Sequence, residues 1–209
     1  MIDSTYADLL ARLAHDLRSP LEVLRGTVGD MPSLENKADR EHATRLAGRA
    51  LNRLLRLTER LDLASATSTG FSCTLVDVDV RALAQTVLAR MQAAEPRSSL
   101  TVELKGNAQW MSDPRLLGAA LSELVSNAFK FARTRMTIRI EPDALIVEDD
   151  GAGVKNAELA ELLSQGKPGM NGLGLGLPLA DALARRLGLT LALSTCEPSG
   201  TRSRFELRR

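Results

Sequence analysis

Four short stretches hold residue types able to do chemistry together. The first, "AHDLRSP" at residues 14 to 20, sets one of only two histidines beside Asp16, with Ser19 four positions on. At 100° per residue His15 falls nearly opposite the Leu10, Leu13, Leu17, Leu21 stripe, among Asp8, Ser19 and Glu22, so it is no core histidine. Asp16 is placed to accept a proton or to orient an imidazole nitrogen. His42 has no such cluster and reads as an ordinary surface side chain. In the second stretch, "SELVSNAFKFA", Glu123, Asn127 and Lys130 are four and three apart and share one helix edge. Carboxylate and amide oxygens suit Mg²⁺, and an ammonium suits phosphate.

The third stretch, "VEDDGAGV", is a strand running into Asp149, Gly151 and Gly153. Glycines let the backbone approach a flat ligand, and an aspartate at a strand end can accept a hydrogen bond from an exocyclic amine. The fourth, "NGLGLGLPLADAL", places Gly172, Gly174 and Gly176 at a helix start, where free backbone amides form an anion site suited to phosphate.

The elements that must position these groups follow from periodicity. Tyr6, Leu10, Leu13, Leu17, Leu21, Leu24 and Val28 form one amphipathic stripe, with Pro20 expected to bend the helix. Gly, Pro and Asn in residues 29–39 break it, and Ala43, Leu46, Ala47, Ala50, Leu54, Leu57 and Leu61 resume it. This predicts a helical hairpin with arms of roughly 40 Å at about 1.5 Å per residue, too exposed alone and enclosed by pairing into a four-helix bundle. Arg45, Arg49, Arg53, Arg56 and Arg60 line the opposite face of the second arm, either as a solvated face or as a docking surface for an acidic partner.

Small polar residues 64–70 read as a linker. Beyond it, strands are predicted at "CTLVDVDV", "LTVELKG", "MTIRI", "ALIVED", "LTLALST" and "SRFEL". Helices are predicted at Val80 to Glu95, Pro114 to Ala132 and Leu177 to Leu187, the second opened by Asp113 as N-cap and Pro114 in the first turn. That order predicts an α+β or mixed sandwich with the sheet covered on one face.

Composition bounds the rest. The 209 residues are 44% apolar and 25% charged with a formal charge of +1, which gives no general attraction to nucleic acid or anionic membrane. No apolar run approaches the ~20 residues of a membrane helix. Cys73 and Cys196 lack metal-ligand spacing, and with no signal-peptide pattern a reduced cytoplasmic setting is expected.

In this order the motifs resemble those of two-component sensor histidine kinases. "HDLRSPL" resembles the phosphoacceptor box, "ELVSNAFKF" the N box, "DDGAG" and "GLGLGL" the two glycine boxes, and "SGTRSRFEL" the closing Gly-Thr strand. The resemblance runs from about residue 9 to the C-terminus. It implies a dimerising phosphotransfer hairpin over residues 1–66, a linker at 67–71, and over 72–209 an α/β-sandwich ATP-binding domain of the GHKL (Bergerat) type. A homodimer through the hairpin is implied, in a cytoplasmic protein or the cytoplasmic part of a larger membrane sensor.

The resemblance also implies roles. His15 takes the γ-phosphoryl group from Mg²⁺-ATP and hands it to an aspartate of a response-regulator receiver domain, with Asp16 as acid/base neighbour. Asn127 matches the Mg²⁺-binding amide, Lys130 the phosphate contact, Asp149 the adenine-recognising carboxylate and Thr201 the threonine near adenine. Gly151, Gly153, Gly172, Gly174 and Gly176 match backbone around the nucleotide. Glu123 stands where asparagine is common and resembles the water-activating residue of gyrase- and Hsp90-type ATPases, leaving it a catalytic as well as a metal-holding candidate. Ser19 replaces the threonine or asparagine tied to partner dephosphorylation, and the lid between Val154 and Asn171 is short without paired phenylalanines. The alternatives are a phosphotransfer protein with a non-catalytic ATP-binding-like domain and an ATPase clamp without phosphotransfer.

Overall fold

The structure is a computed structural model that describes residues 4–68, 73–94, 96–154 and 176–208. The chain divides between Ser65 and Ala66 into two compact units.

The first unit holds helix α1 (Ser4–Asp30), a 3₁₀ turn (Met31–Ser33) and all but the last three residues of helix α2 (Lys37–Ser68). Asn36 caps α2, its Oδ1 accepting the Asp39 N–H at 2.8 Å, which explains why the helix restarts there. α1 continues through Pro20 to Asp30 as one helix. α2 also outruns the expected linker start, since Ala64 and Ala66 favour helix and no Gly or Pro intervenes before Gly70. Ala43, Ala50 and Leu57 are buried, yet Leu21, Val28, Leu51 and Leu55 are 50–58% exposed, so the hairpin carries more apolar surface than its own two helices cover.

The second unit begins with strand β1 (Val76–Asp79) and helix α3 (Val80–Ala94), followed by strands β2 (Thr101–Gly106) and β3 (Gln109–Ser112) and helix α4 (Pro114–Phe131). Strands β4 (Arg135–Ile140) and β5 (Ala144–Asp149), helix α5 (Gly176–Arg186) and strands β6 (Leu189–Thr195) and β7 (Thr201–Leu207) complete it. The main sheet has the order β2-β4-β5-β7-β6, with β2 and β4 parallel and the other pairs antiparallel. β1 pairs with β3 in a separate two-stranded sheet that seats Trp110, whose indole N–H donates to the Pro142 carbonyl at 2.9 Å.

Period-two alternation makes this a sheet with one dry face. Met136, Ile138 and Ile140 of β4, Leu145 and Val147 of β5, Leu189 and Leu191 of β6, and Ser203 and Phe205 of β7 are buried, and α4 and α5 pack against the sheet. α4 contributes Leu117, Leu121, Leu124, Val125 and Ala128, all nearly inaccessible, as its spacing requires. On the other face Glu148 pairs with Arg139 at 3.0 Å and with Arg202, and Arg204 pairs with Glu206 at 3.3 Å. Ile146 on that face is only 2% exposed because Arg139 and Arg204 are its register partners on either side.

α4 starts sharply. Asp113 is wholly buried, accepts from the Arg115 and Leu116 amides at 2.9 and 3.4 Å, and also accepts from the Thr74 N–H at 3.0 Å. Burial opposes its charge, but the Arg115 guanidinium and these amides outweigh burial and lower its pKa to about 2.

Candidate functional site

The end of β5 meets the start of β7. Asp149 and Thr201 are register partners at the end of the β5–β7 pair, so the carboxylate and the threonine stand side by side at one end of these interior strands. Asp149 Oδ1 accepts the Gly151 N–H at 2.9 Å, which turns the chain, and a carboxylate with two such amide donors keeps lone pairs able to accept from a ligand amine. Burial pushes the Asp149 carboxyl above its ordinary value, against the Gly151 and Thr201 amides that lower it.

Two glycines are required here by contact. A β-carbon at Gly151 would stand 2.6 Å from the Phe131 carbonyl oxygen and 2.7 Å from Asp149 Oδ1. Gly200, with φ +129°, would place one 1.9 Å from the Asp149 carbonyl oxygen. Gly153 follows in the same turn, against Gly200. The Gly151 contact also shows that the last turn of α4 lies directly on the end of β5.

Along α4 the predicted edge is graded in depth. Glu123 is buried at 7% exposure, Asn127 is half-buried and Lys130 is exposed, its Nζ 4.8 Å from the centroid of the Phe131 ring. One turn separates each from the next, so a buried carboxylate, an amide and a surface ammonium succeed one another from the interior outward. Oxygen donors of this kind fit Mg²⁺, and the ammonium at the rim fits a phosphate. Gly176 is the first residue of α5. Gly172, Gly174 and most of the expected lid lie outside the described residues.

Two side chains that sequence reasoning did not single out hold this region. Asp150 accepts from the Arg133 N–H at 2.8 Å, the Thr134 N–H at 3.0 Å and the Thr134 hydroxyl at 2.6 Å. Burial works against its charge, but the Thr134 hydroxyl and nearby amides outweigh it and hold the carboxyl well below its ordinary value. Arg97 donates from Nη1 to the Phe129 carbonyl and from Nη2 to the Ala132 carbonyl at 3.0 Å, occupying acceptors that the end of α4 leaves open. Neither partner, 16 and 32 or more positions away, has a local signal in the sequence.

In the helical hairpin His15 is 81% exposed at its side chain, with Nδ1 3.5 Å from Asp16 Oδ1. Asp16 is mostly buried and also lies 4.0 Å from Arg53 Nη2. Asp16 approaches the ring at Nδ1, the nitrogen that a carboxylate would orient if Nε2 were the reacting atom. The structure therefore brings Asp149, Gly151, Gly153 and Thr201 together with the α4 edge in one unit, and His15 with Asp16 in the other.

The family model of histidine kinase-, DNA gyrase B- and HSP90-like ATPases matches residues 112–209, and the second unit is an ATP-binding domain of that class. Among curated proteins the chain is 28% identical to the sensor protein TorS of Escherichia coli over 92% of its length and 23% of that protein. It is 25% identical to the sensor histidine kinase CssS of Bacillus subtilis over 84% of its length and 41% of the relative. The chain thus spans well under half the length of these relatives. Among solved structures, Acinetobacter baumannii histidine kinase AdeS aligns with a TM-score of 0.67 at 21% identity over 92% of this chain and 96% of that one. The chain is similar over most of its length to two-component sensor proteins and histidine kinases, and the family match falls within its second unit.

Proposed function

We propose that this chain phosphorylates itself on His15 from Mg²⁺-ATP and passes the phosphoryl group to an aspartate of a response-regulator receiver domain. The observation that carries the reading is the exposed His15, approached by Asp16 at Nδ1, in a chain whose other unit holds the Asp149–Thr201 floor of a nucleotide site.

Asp149 accepts the adenine amine beside Thr201, and Gly151 and Gly153 let the ring lie against backbone. Glu123 and Asn127 are the oxygen donors for Mg²⁺, which when bound neutralises charge on the phosphates. Lys130 at the rim meets phosphate, and Gly172, Gly174 and Gly176 supply amides ahead of α5. Nε2 of His15 attacks the γ-phosphorus as the bond to the β–γ bridging oxygen breaks, ADP leaves, and the ring gives its Nδ1 proton to Asp16. Protonation of Asp16 keeps the phosphorylated ring neutral.

The exposed Leu21, Val28, Leu51 and Leu55 support a second copy of the hairpin as their cover, giving a dimeric four-helix bundle. Among the described residues no helix is long and apolar enough to cross a membrane. Incubation with γ-labelled ATP and Mg²⁺ tests the proposal. Acid-labile label on the chain is expected; free phosphate with no protein label would make it an ATPase, and label acquired only from a phosphorylated partner would make it a relay.

A further inference from the structure

The nucleotide site has two halves on different elements, the adenine end at the C-terminus of β5 and the phosphate edge on α4. Pairing between β4 and β5 reaches only as far as Met136 and Asp149, with one further bond from the Asp150 N–H to the Arg135 carbonyl at 3.2 Å. Residues 132–134 connect α4 to β4; the Thr101 N–H of β2 holds the Thr134 carbonyl at 2.8 Å and Arg97 holds the Ala132 carbonyl at 3.0 Å, but neither contact comes from β5. The link from the end of β5 to this connection is the Asp150 carboxylate, whose oxygens accept from the Arg133 and Thr134 N–H groups and from the Thr134 hydroxyl. Asp150 is the chain neighbour of Asp149, and Arg133 is three residues from Lys130.

We infer that Asp150 is a positioning residue that couples the adenine end of the site to its phosphate edge. It fixes the last turn of α4, with Lys130, against the end of β5, with Asp149. The inference rests on the nucleotide-binding reading above.

Two features favour coupling over a purely structural role. Arg133 and Thr134 are exposed and Asp150 is half-buried, so water competes for these bonds and they add less to folding than fully buried ones would. The same bonds span a junction whose backbones already touch, the Phe131 carbonyl against Gly151, so a small loosening there changes the spacing between Asp149 and Lys130 directly. A ligand that binds at both ends gains from that fixed spacing, while a ligand confined to one end does not. A carboxylate suits the task because it has no hydrogen of its own to oppose the two N–H groups and the hydroxyl.

The test compares ATP, which reaches both ends, with adenosine, which reaches only the Asp149 end, in the whole chain by calorimetric and NMR titration. In Asp150→Ala, ATP affinity falls about tenfold while adenosine affinity changes less than about twofold. Asp150→Asn, which keeps one acceptor oxygen for the Arg133 and Thr134 amides, stays within about threefold of wild type for ATP. Thr134→Val removes only the hydroxyl bond and lowers ATP affinity about two- to fivefold, again sparing adenosine; it reads the same coupling should the alanine variant fold poorly. An unchanged ratio of ATP to adenosine affinity in both variants, or a parallel loss of both, overturns the inference. A wild-type chain that binds neither ligand instead overturns the nucleotide reading itself.

Discussion

Asp149→Asn isolates the one interaction proposed for adenine. In the wild type Oδ1 accepts the Gly151 N–H at 2.9 Å, and the proposed adenine contact uses the acceptor capacity that the carboxylate retains. Asparagine can keep Oδ1 on Gly151, but then turns an NH₂ toward the amine, setting donor against donor. The loss is one charge-assisted hydrogen bond, about 1.5–3 kcal/mol, or roughly ten- to a hundredfold in ATP affinity. The free domain does not suffer equally, because burial disfavours the Asp149 charge and the amide removes that cost. Calorimetric titration at pH 7 should show weakened ATP binding with a melting temperature unchanged or higher.

The pH dependence has a defined sign. Protonation of Asp149, whose pKa lies above its ordinary 3.8, removes the acceptor, so wild-type affinity falls as pH drops through that raised value, while Asp149→Asn stays flat. Stability of the free domain has the opposite sign for this group: its contribution is present below about pH 4 and lost as pH rises through the folded pKa. An affinity unchanged by the substitution, or a variant that loses affinity only by melting, refutes the adenine assignment.

Glu123→Gln keeps the shape of the buried side chain and removes its charge and basicity. Autophosphorylation and any background ATP hydrolysis are expected to fall about ten- to a thousandfold with nucleotide binding retained; labelling at the wild-type rate with hydrolysis lost would make Glu123 a water activator only. Asp113→Ala removes the buried N-cap of α4 and should cost about 1–2 kcal/mol in denaturant unfolding. The stability that Asp113 supplies is present above about pH 4 and is lost as pH falls through its folded pKa of about 2, so the wild-type advantage should vanish in strong acid. Gly200→Ala forces a β-carbon onto the Asp149 carbonyl at a φ that side chains rarely adopt, and should destabilise the second unit by more than about 1 kcal/mol, measured the same way, with ATP affinity reduced.

Much of the molecule was legible because its signals are local. The Asp113-Pro114 start and the apolar spacing behind it define α4, and the same spacing puts Glu123, Asn127 and Lys130 on one edge. Asp149 followed by Gly151 announces a strand that must turn tightly, and the structure shows what the turn avoids. Strand β3 went unrecognised because it has four residues, Trp110 and Ser112 facing inward and Met111 66% exposed, a pattern too short to register as alternation. Asp150 and Arg97 escaped for another reason. Their partners are brought to them by the packing of α4 on β5 and by the α4–β4 junction, and nothing in the neighbouring sequence encodes that meeting. The extension of α2 through Ser68 is a plain case of alanine propensity prevailing over a composition that looked like a linker.

The central claim is that His15 is the phosphoryl acceptor and belongs to a different unit from the proposed nucleotide site. The direct measurement is γ-labelled ATP incorporation into wild type and His15→Gln, with ATP affinity determined on both proteins. The account predicts acid-labile label on the wild type, none on the variant, and ATP affinities equal within about twofold, since the substituted side chain lies in the other unit. Label on His15→Gln at the wild-type level would contradict it.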